Sequence, residues 1–415
     1  MRKPVHRTVR AAAAWMLQIL AFLTAAVIAA AGARSAHAAL NIEVVSGDQI
    51  GEGFNDPTPV APVGGNPGTT LGAQRMFALQ YAADAWGARL NGTVTVVIGA
   101  SFDPLFGNAN TAILGSASPD TVHLSRSTLP VPGVPLNDVW YSAALFSQFR
   151  GVDANDSLQE ERPEVEAQFN SSVDNQQVLG TIDFYYGLDG SRGTDVDFLS
   201  VALHEIAHGL GFLDLIDPSS GSLFDPPPGG DPLPDAYSRW LEDPTVAPKQ
   251  LTQMNDQQRK LAILNGPDLL WAGPNVKANS AYLTKARKTD GRVQMYAPAS
   301  YQAGSSVAHF DTNVEPNELM EPFATSGIRD LRLTVQLFRD LGYSTVDIPR
   351  CGDSNDDSAI TSVDALVNLR SAVGIASCSE IVCDVNLSGA ITAADSLTTL
   401  KAAVGIAIAL NCPLS

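Results

Sequence analysis

The sequence predicts an α+β fold in which a mixed domain over residues 39–346 precedes a small all-α module over residues 351–415. In the first domain, segments rich in β-branched residues are interspersed with segments whose apolar residues recur at helical spacing. A stretch rich in Pro and Gly opens an insertion that we place at residues 215–300. A repeat with a period of 31 residues fills the C-terminal module, and each copy ends in a helical pattern. These three observations predict the fold class and the domain boundaries.

The first 38 residues are typical of a secretory signal peptide. Basic residues, among them Arg7 and Arg10, precede an apolar run over residues 11–31, and a small-x-small cleavage site ends at Ala38. An uncleaved membrane anchor is the alternative, because the run is long enough to span a bilayer. The cleavage site favours a secreted, extracellular protein with no membrane association after signal cleavage.

The composition is strongly acidic, with a formal net charge of −18 and an isoelectric point near 4.6. This balance argues against nucleic acid as a partner, because phosphate binding needs clustered cations. Bound calcium would offset part of the acidity. We expect the protein to be a monomer.

All the cysteines lie in the last 65 residues, at positions Cys351, Cys378, Cys383 and Cys412. An even number of cysteines in an exported chain predicts two disulfides. Three pairings are possible on this basis alone.

Regular elements are predicted in order along the mixed domain. Strands are predicted over residues 42–45, 93–100, 121–124 and 181–186, and helices over residues 70–90, 139–149 and 330–341. Thr70 is the expected N-cap of the first helix, because its hydroxyl can accept a hydrogen bond from an amide of the first turn.

The segment over residues 204–208 has the sequence His-Glu-Ile-Ala-His, which is the clearest chemical pattern in the chain. Residues four apart on a helix share one face, so His204 and His208 can bind one metal ion. Glu205 can then accept a proton from a water at that ion. A buried helix that carries two histidines by chance is the alternative, and it is rare in a chain with six histidines.

The apolar residues before this pattern predict a buried helix that begins near Thr194 or Asp195 and ends at Gly211. The strand predicted over residues 181–186 comes just before it. That strand could form the rim of a cleft, where an extended peptide can pair with it. An interior strand with no role in binding is the alternative.

A catalytic zinc ion usually has three protein ligands and an open position. The candidates for the third ligand are His123, His309 and Asp214. His309 is preferred because imidazole is the commoner zinc ligand. Asp214 is the alternative third ligand, or else a carboxylate that hydrogen-bonds a ligating histidine. No metal role is expected for His123.

The motif that begins at His204, His-Glu-x-x-His-x-x-Gly, resembles that of the metzincin clan of zinc peptidases. Most of that clan places the third ligand three residues after the glycine, which here is Asp214. The leishmanolysin-like branch instead uses a distant histidine that is followed by a Glu-Leu-Met turn. His309, followed by Met320 in a Glu-Leu-Met-Glu-Pro sequence, is similar to that branch in order and spacing.

This resemblance covers about residues 70–345 and implies a metzincin-like zinc peptidase domain that acts on a protein or peptide substrate. The implied architecture is a twisted sheet, an active-site helix, a Met turn and a C-terminal helix. Glu205 would be the general base, Met320 an apolar floor below the metal, and Pro322 and Phe323 walls of a specificity pocket. The chain lacks the dense cysteine pattern of leishmanolysin, so substrate preference does not carry over.

The C-terminal repeat consists of two twelve-residue loops, each with oxygen ligands at positions 1, 3, 5 and 12 and a backbone carbonyl at position 7. This spacing predicts two calcium sites. The predicted ligands are Asp353, Asn355, Asp357, Ala359 and Asp364 in the first loop, and Asp384, Asn386, Ser388, Ala390 and Asp395 in the second. Each loop leads into a helix, over residues 365–373 and 396–404. An acidic linker with no metal role is the alternative.

Paired calcium loops with a twelfth-position Asp, each followed by one helix, resemble the dockerin type I module, and a cohesin-like domain is the partner that this implies. Ser358 stands where such loops have a glycine, and Ser388 where they have an aspartate. The near two-fold symmetry of the module brings its ends together. We therefore expect Cys351 to pair with Cys412, and Cys378 with Cys383.

A second hypothesis is a non-catalytic secreted protein that binds calcium and zinc and docks to a cohesin-like partner. Its metal site would be structural, with all four positions filled by protein groups. The three histidines and Asp214 could fill them. Glu205 argues against this hypothesis, since a structural site has no use for a base.

Overall fold

Strands and helices intermingle through the described part of residues 39–346, and paired helices dominate the described part of residues 351–415. The computed structural model describes residues 38–155, 162–225, 232–324, 327–346, 348–357, 359–408 and 410–413. The predicted signal peptide, apart from Ala38, lies outside the described residues, and so does Ser358. Within those ranges the chain is a mixed α/β structure that is compatible with the predicted α+β class.

The strands are β1 (Ile42–Ser46), β2 (Leu90–Asn91), β3 (Val96–Asp103), β4 (Gly115–Pro119), β5 (Val122–Ser125), β6 (Val139–Ser142), β7 (Val165–Asn170), β8 (Phe184–Tyr185), β9 (Val196–Asp197), β10 (Leu241–Glu242), β11 (Leu270–Trp271), β12 (Val293–Gln294) and β13 (Ser344–Thr345). The helices are α1 (Leu71–Arg89), α2 (Ala143–Arg150), α3 (Ser171–Asp174), α4 (Phe198–Leu210), α5 (Asp256–Ala262), α6 (Pro274–Asn279), α7 (Arg332–Leu341), α8 (Ser362–Ala372), α9 (Glu380–Cys383) and α10 (Ala393–Ala403).

The main sheet contains four strands in the order β1-β3-β7-β4. The first three run parallel, and β4 pairs antiparallel with β7 at the edge of the sheet. Side chains of β3 alternate between buried and half-buried, as the period of two along a strand requires. The strands predicted over residues 42–45, 93–100 and 121–124 are confirmed, with shifts of a few residues at their ends.

Helix α1 confirms the helix predicted over residues 70–90 together with its cap. Thr70 Oγ1 accepts a hydrogen bond from Ala73 N at 3.2 Å, which satisfies an amide that the first turn leaves unpaired. Trp86 of this helix is fully buried, and its Nε1 donates to Leu203 O at 3.0 Å. This bond ties α1 to the helix that carries His204.

The prediction of a helix over residues 139–149 was wrong for its first four residues. Residues Val139–Ser142 form a strand that pairs antiparallel with Val122–Ser125, and the helix begins only at Ala143. Val139, Trp140 and Tyr141 are β-branched or aromatic, and these types fit a pleated, buried surface better than a helix.

The strand predicted over residues 181–186 is confined to Phe184–Tyr185 and pairs in parallel with Val196–Asp197. It does not belong to the four-stranded sheet. The edge of that sheet which lies against α4 is instead Gly115–Pro119. Gly115–Pro119, and not residues 181–186, is therefore the edge strand that lies beside the helix with His204.

Helix α4 begins at Phe198, and Asp197 occupies its N-cap, so the predicted start near Thr194 or Asp195 came too early. The reason is tertiary pairing, because the two residues before Phe198 belong to β9. Gly211 ends the helix with a φ of 122°, as predicted for a residue without a Cβ.

The insertion placed at residues 215–300 contributes a small sheet of β10, β11 and β12, and it also contains α5 and α6. Trp271 of β11 is fully buried, and its Nε1 donates to Asp340 Oδ2 of α7 at 3.0 Å. Tyr237 packs against Trp271 with ring centroids 4.7 Å apart. The described part of the insertion therefore shares the core of the first domain. The helix predicted over residues 330–341 is α7, which starts two residues later.

The C-terminal module is built from α8 and α10, which pack against each other. Asn368 Nδ2 donates to Thr399 Oγ1 at 2.9 Å, and Ser396 Oγ donates to Ala365 O at 2.6 Å. Each of these pairs is separated by 31 residues, the period of the repeat. The expected disulfides are present: Cys351 pairs with Cys412 and Cys378 with Cys383.

None of the helices in the described ranges has both the length and the apolar character needed to cross a membrane.

Close packing of α4 on the sheet predicts the effect of a substitution at Gly209. A Cβ added there would lie 2.1 Å from Val165 Cγ1 of β7. We expect Gly209→Ala to lower the free energy of unfolding by about 1–3 kcal/mol through overpacking. This range is the net effect, after the roughly 1 kcal/mol that Ala gains over Gly in a helix interior. Urea denaturation of the two proteins measures the difference.

The matched control is Gly209→Ala combined with Val165→Ala, which makes room for the added methyl group. We expect the double variant to lose less stability than the sum of the two single variants. A Gly209→Ala protein that is more stable than the parent would contradict this account of the packing.

Candidate metal centre

Three imidazoles converge between α4 and a distant downstream segment. The Nε2 atoms of His204 and His208 lie 3.1 Å apart, and His309 Nε2 lies 3.1 Å from the first and 3.2 Å from the second. His204 and His208 are adjacent because they stand one turn apart on α4. The structure thus brings together the three histidines predicted as ligands, and they form a group that could hold a metal ion.

Backbone carbonyls fix the tautomer of each ring. His204 Nδ1 lies 2.8 Å from Leu319 O, His208 Nδ1 2.7 Å from Phe212 O, and His309 Nδ1 2.8 Å from Ser305 O. A carbonyl oxygen only accepts, so each Nδ1 must carry the proton and each Nε2 must present a lone pair. Three lone pairs that face one another repel unless a cation lies between them.

The spacing of these nitrogens matches the donor set of a tetrahedral zinc site. Ligands at about 2.0–2.1 Å from zinc in a tetrahedron stand about 3.3–3.4 Å apart, close to the observed separations. Burial lowers the pKa of His204 to about 4 and that of His208 to about 3, and it lowers the pKa of His309 as well. The rings are therefore held neutral, which is the form that binds a metal.

Glu205 is buried beside the histidines and faces the edge strand β4. Burial raises the pKa of its carboxyl group to about 8, and the nearby backbone amide of Ala117 acts against this shift. A Cβ added to Gly115 would lie 2.8 Å from Glu205 Cγ and 3.1 Å from its Oε1. The edge strand thus comes close enough to set the position of the carboxylate. A buried carboxyl group with a raised pKa is suited to proton transfer near neutral pH.

Met320 is fully buried in the turn that follows the third histidine. Phe310 N donates to Met320 O at 2.8 Å, and the neighbouring Leu319 O is the carbonyl that orients His204. The turn is therefore bonded both to the segment that carries His309 and to α4. Pro322 and Phe323 follow it, and Phe323 packs edge-on against Tyr296 with ring centroids 5.9 Å apart.

Asp214 and His123 do not join the three histidines. Asp214 Oδ1 accepts a hydrogen bond from Ile216 N at 3.1 Å, and burial with the nearby Asp235 raises its pKa to about 8. His123 Nε2 lies 2.9 Å from Thr121 Oγ1, and its ring stacks on Phe146. In this geometry His309 rather than Asp214 completes the set.

The first repeat of the C-terminal module brings Asp353, Asp357 and Asp364 together, with carboxylate oxygens all within 4.8 Å of one another. This is the second group, within the described ranges, that could hold a metal ion. In the second repeat Asp384 and Asp395 are fully buried, and Asp395 Oδ1 has no hydrogen-bond partner. A buried carboxylate oxygen without a donor fits a loop that folds around a cation.

Residues with a supporting role were not found from the sequence. Arg329 donates to both carboxylate oxygens of Asp197, at 2.8 and 2.7 Å, and so joins the segment after the Met turn to the N-cap of α4. No local pattern pairs two residues 132 positions apart. Gly115 and Ala117 lie in the sequence Gly-Ser-Ala-Ser-Pro, whose residue types do not predict a strand.

A scan against protein-family models and a search of curated proteins gave no match to this chain.

The geometry separates the two candidates for the third ligand. His309→Ala should lower the affinity for added Zn²⁺ by more than about 100-fold. Removal of a group that only hydrogen-bonds a metal ligand typically lowers metal affinity by about 10- to 100-fold, and removal of the ligand itself should lower it further. Asp214→Asn keeps the size of the side chain and should stay within about tenfold of the parent. Competition with a chromophoric chelator measures both affinities. A large loss in Asp214→Asn with none in His309→Ala would reverse the assignment.

Proposed function

We propose that this protein is a secreted zinc endopeptidase whose C-terminal module binds calcium and serves for docking or stability. The observation that supports it best is the convergence of three neutral imidazoles, held by carbonyls, beside a buried carboxyl group. His204, His208 and His309 would hold the zinc ion, and Glu205 would be the general base. The leader sequence and the two disulfides support export into an oxidising compartment.

The donor set fits zinc better than calcium or magnesium, because imidazole nitrogen is a ligand of zinc whereas the lighter ions prefer oxygen. When bound, zinc would act as a Lewis acid toward a peptide carbonyl and make a water molecule more acidic. Three protein ligands leave the open position that catalysis requires.

Glu205 would hold and move the proton during hydrolysis. Its carboxylate would accept a proton from the attacking water and pass it to the amine that leaves. The edge strand β4 approaches the side chain of Glu205 at Gly115 and would limit its movement, so that the proton is transferred at a defined place. The same strand could also pair with an extended substrate, as peptides do when they add to a sheet.

The C-terminal module supports the proposal that the protein binds calcium. Its two loops provide oxygen ligands at calcium spacing, and its disulfide between Cys351 and Cys412 closes the module. We propose Ca²⁺ in both loops, and a cohesin-like domain as the partner class that the resemblance to dockerin modules implies. A monomer that acts on protein or peptide substrates is the simplest assembly.

Exchange of Glu205 tests the peptidase directly. Glu205→Gln removes the base but keeps the shape of the side chain, so zinc content should stay near one ion per chain. The rate of casein hydrolysis should fall by about 10³-fold or more. General acid–base catalysis typically contributes about 10²- to 10⁴-fold to a rate. Glu43→Gln, on an exposed residue, is the matched control and should leave the rate unchanged.

The same measurement decides between the two hypotheses. A parent protein that retains zinc but cleaves neither casein nor unfolded proteins would favour the non-catalytic binding protein. Hydrolysis by Glu205→Gln at the rate of the parent would show that the base lies elsewhere.

The approach of β4 to Glu205 gives a second test. Gly115→Ala adds a methyl group 2.8 Å from Glu205 Cγ and should displace the carboxylate by a few tenths of an ångström. We expect kcat to fall by roughly 10- to 100-fold, because small misplacements of a catalytic group are costly, while zinc content is retained. Ser116→Ala, at an exposed position of the same strand, should behave as the parent. An unchanged kcat in Gly115→Ala would show that the strand does not position the base.

A further inference from the structure

The two repeats of the C-terminal module differ at the fourth loop position. Asp356 in the first loop and Leu387 in the second both have a left-handed backbone, with φ of 58° and 56°. Asp356 is exposed to solvent. Leu387 is half-buried, and it packs against the hydrophobic core of the mixed domain. An apolar residue thus replaces a solvated acid at the point where the second loop meets the rest of the chain.

Asn411 extends the contact made by Leu387. Its backbone N donates to Val385 O of the second loop at 2.9 Å, and its Nδ2 donates to Asp189 O at 2.5 Å. A Cβ added to Gly190 would lie 3.3 Å from Asn411 Oδ1, so this glycine allows the close approach. Leu387, which packs against the core of the mixed domain, and Asn411, which bonds to Asp189, together form a docking face.

Residues 188–190 are in turn bonded to the helix that carries the metal-binding histidines. Leu188 O accepts a hydrogen bond from Arg329, whose guanidinium holds Asp197 at the N-cap of α4. Leu188 N and Asp189 N both donate to Gly64 O, at 2.7 and 3.1 Å. The segment therefore lies between the tail and the start of α4, and each contact in the series is direct. Residues 39–415 accordingly form one compact unit.

We propose that the second repeat of the tail docks onto its own mixed domain, and that calcium in the second loop holds the docking face in place. This inference rests on the calcium loops of the proposed function. Asn386 and Ser388, two of the ligands, flank Leu387 directly in the sequence. A cation that fixes both neighbours fixes the backbone of Leu387 as well. The fully buried Asp395 carboxylate, whose Oδ1 has no hydrogen-bond partner, is the local sign that such a cation belongs there.

Calcium in the second loop should therefore slow hydrogen exchange in residues 184–197 of the mixed domain, which are distant from that loop in the sequence. The test is hydrogen exchange of the full chain in calcium-depleted and calcium-containing buffer, at constant zinc. In the parent, calcium should slow exchange of the amides in residues 184–197 by about tenfold or more, because a ligand of the docked state stabilises that state. Leu387→Ala should lose this protection while the tail amides keep their own calcium-dependent slowing. Asp356→Ala, the same substitution at the equivalent position of the first repeat, should retain both effects.

Two results would overturn the proposal. One is a parent in which calcium leaves exchange at residues 184–197 unchanged. The other is Leu387→Ala with the same protection there as the parent. Failure of the peptidase assignment would appear separately, as an absence of casein hydrolysis with the exchange pattern intact.

Discussion

The geometry of the candidate metal centre depends on three backbone carbonyls that orient three imidazoles. Leu319 O, Phe212 O and Ser305 O each take the Nδ1 proton of one ring, and this leaves three Nε2 lone pairs directed at one point. Each carbonyl comes from a different segment: the Met turn, the end of α4, or the loop before His309. All three segments must be correctly placed before the nitrogens can meet. Several parts of the fold therefore determine the geometry of the centre.

Tertiary contacts also place the carboxyl group of Glu205. The helix alone would orient this side chain within a range of rotamers, but the edge strand β4 limits that range because its backbone lies against Glu205 at Gly115. The positions of the three histidines and the position of the Glu205 carboxyl group thus have separate structural causes. Burial in one pocket favours the uncharged form of all of them, and a divalent cation there would compensate by favouring an ionised Glu205.

The sequence predicted what depends on local spacing and missed what depends on distant pairing. The i, i+4 histidines, the cap at Thr70, the turn at Gly211 and the 31-residue repeat were all readable, because each follows from a few neighbouring residues. The residue types favoured His309 over Asp214 as the third ligand because imidazole is the commoner zinc ligand, and the resemblance to leishmanolysin added its spacing to Met320. The start of α4 and the edge strand β4 were missed because partners far along the chain determine them.

The central claim is that His204, His208 and His309 bind one zinc ion. X-ray absorption at the zinc edge, recorded on the purified full chain, tests it most directly. The account predicts one zinc ion per chain with three imidazole nitrogens and one further light ligand, at about 2.0–2.1 Å. A chain that retains no zinc, or a spectrum that shows fewer than three imidazoles, would contradict it.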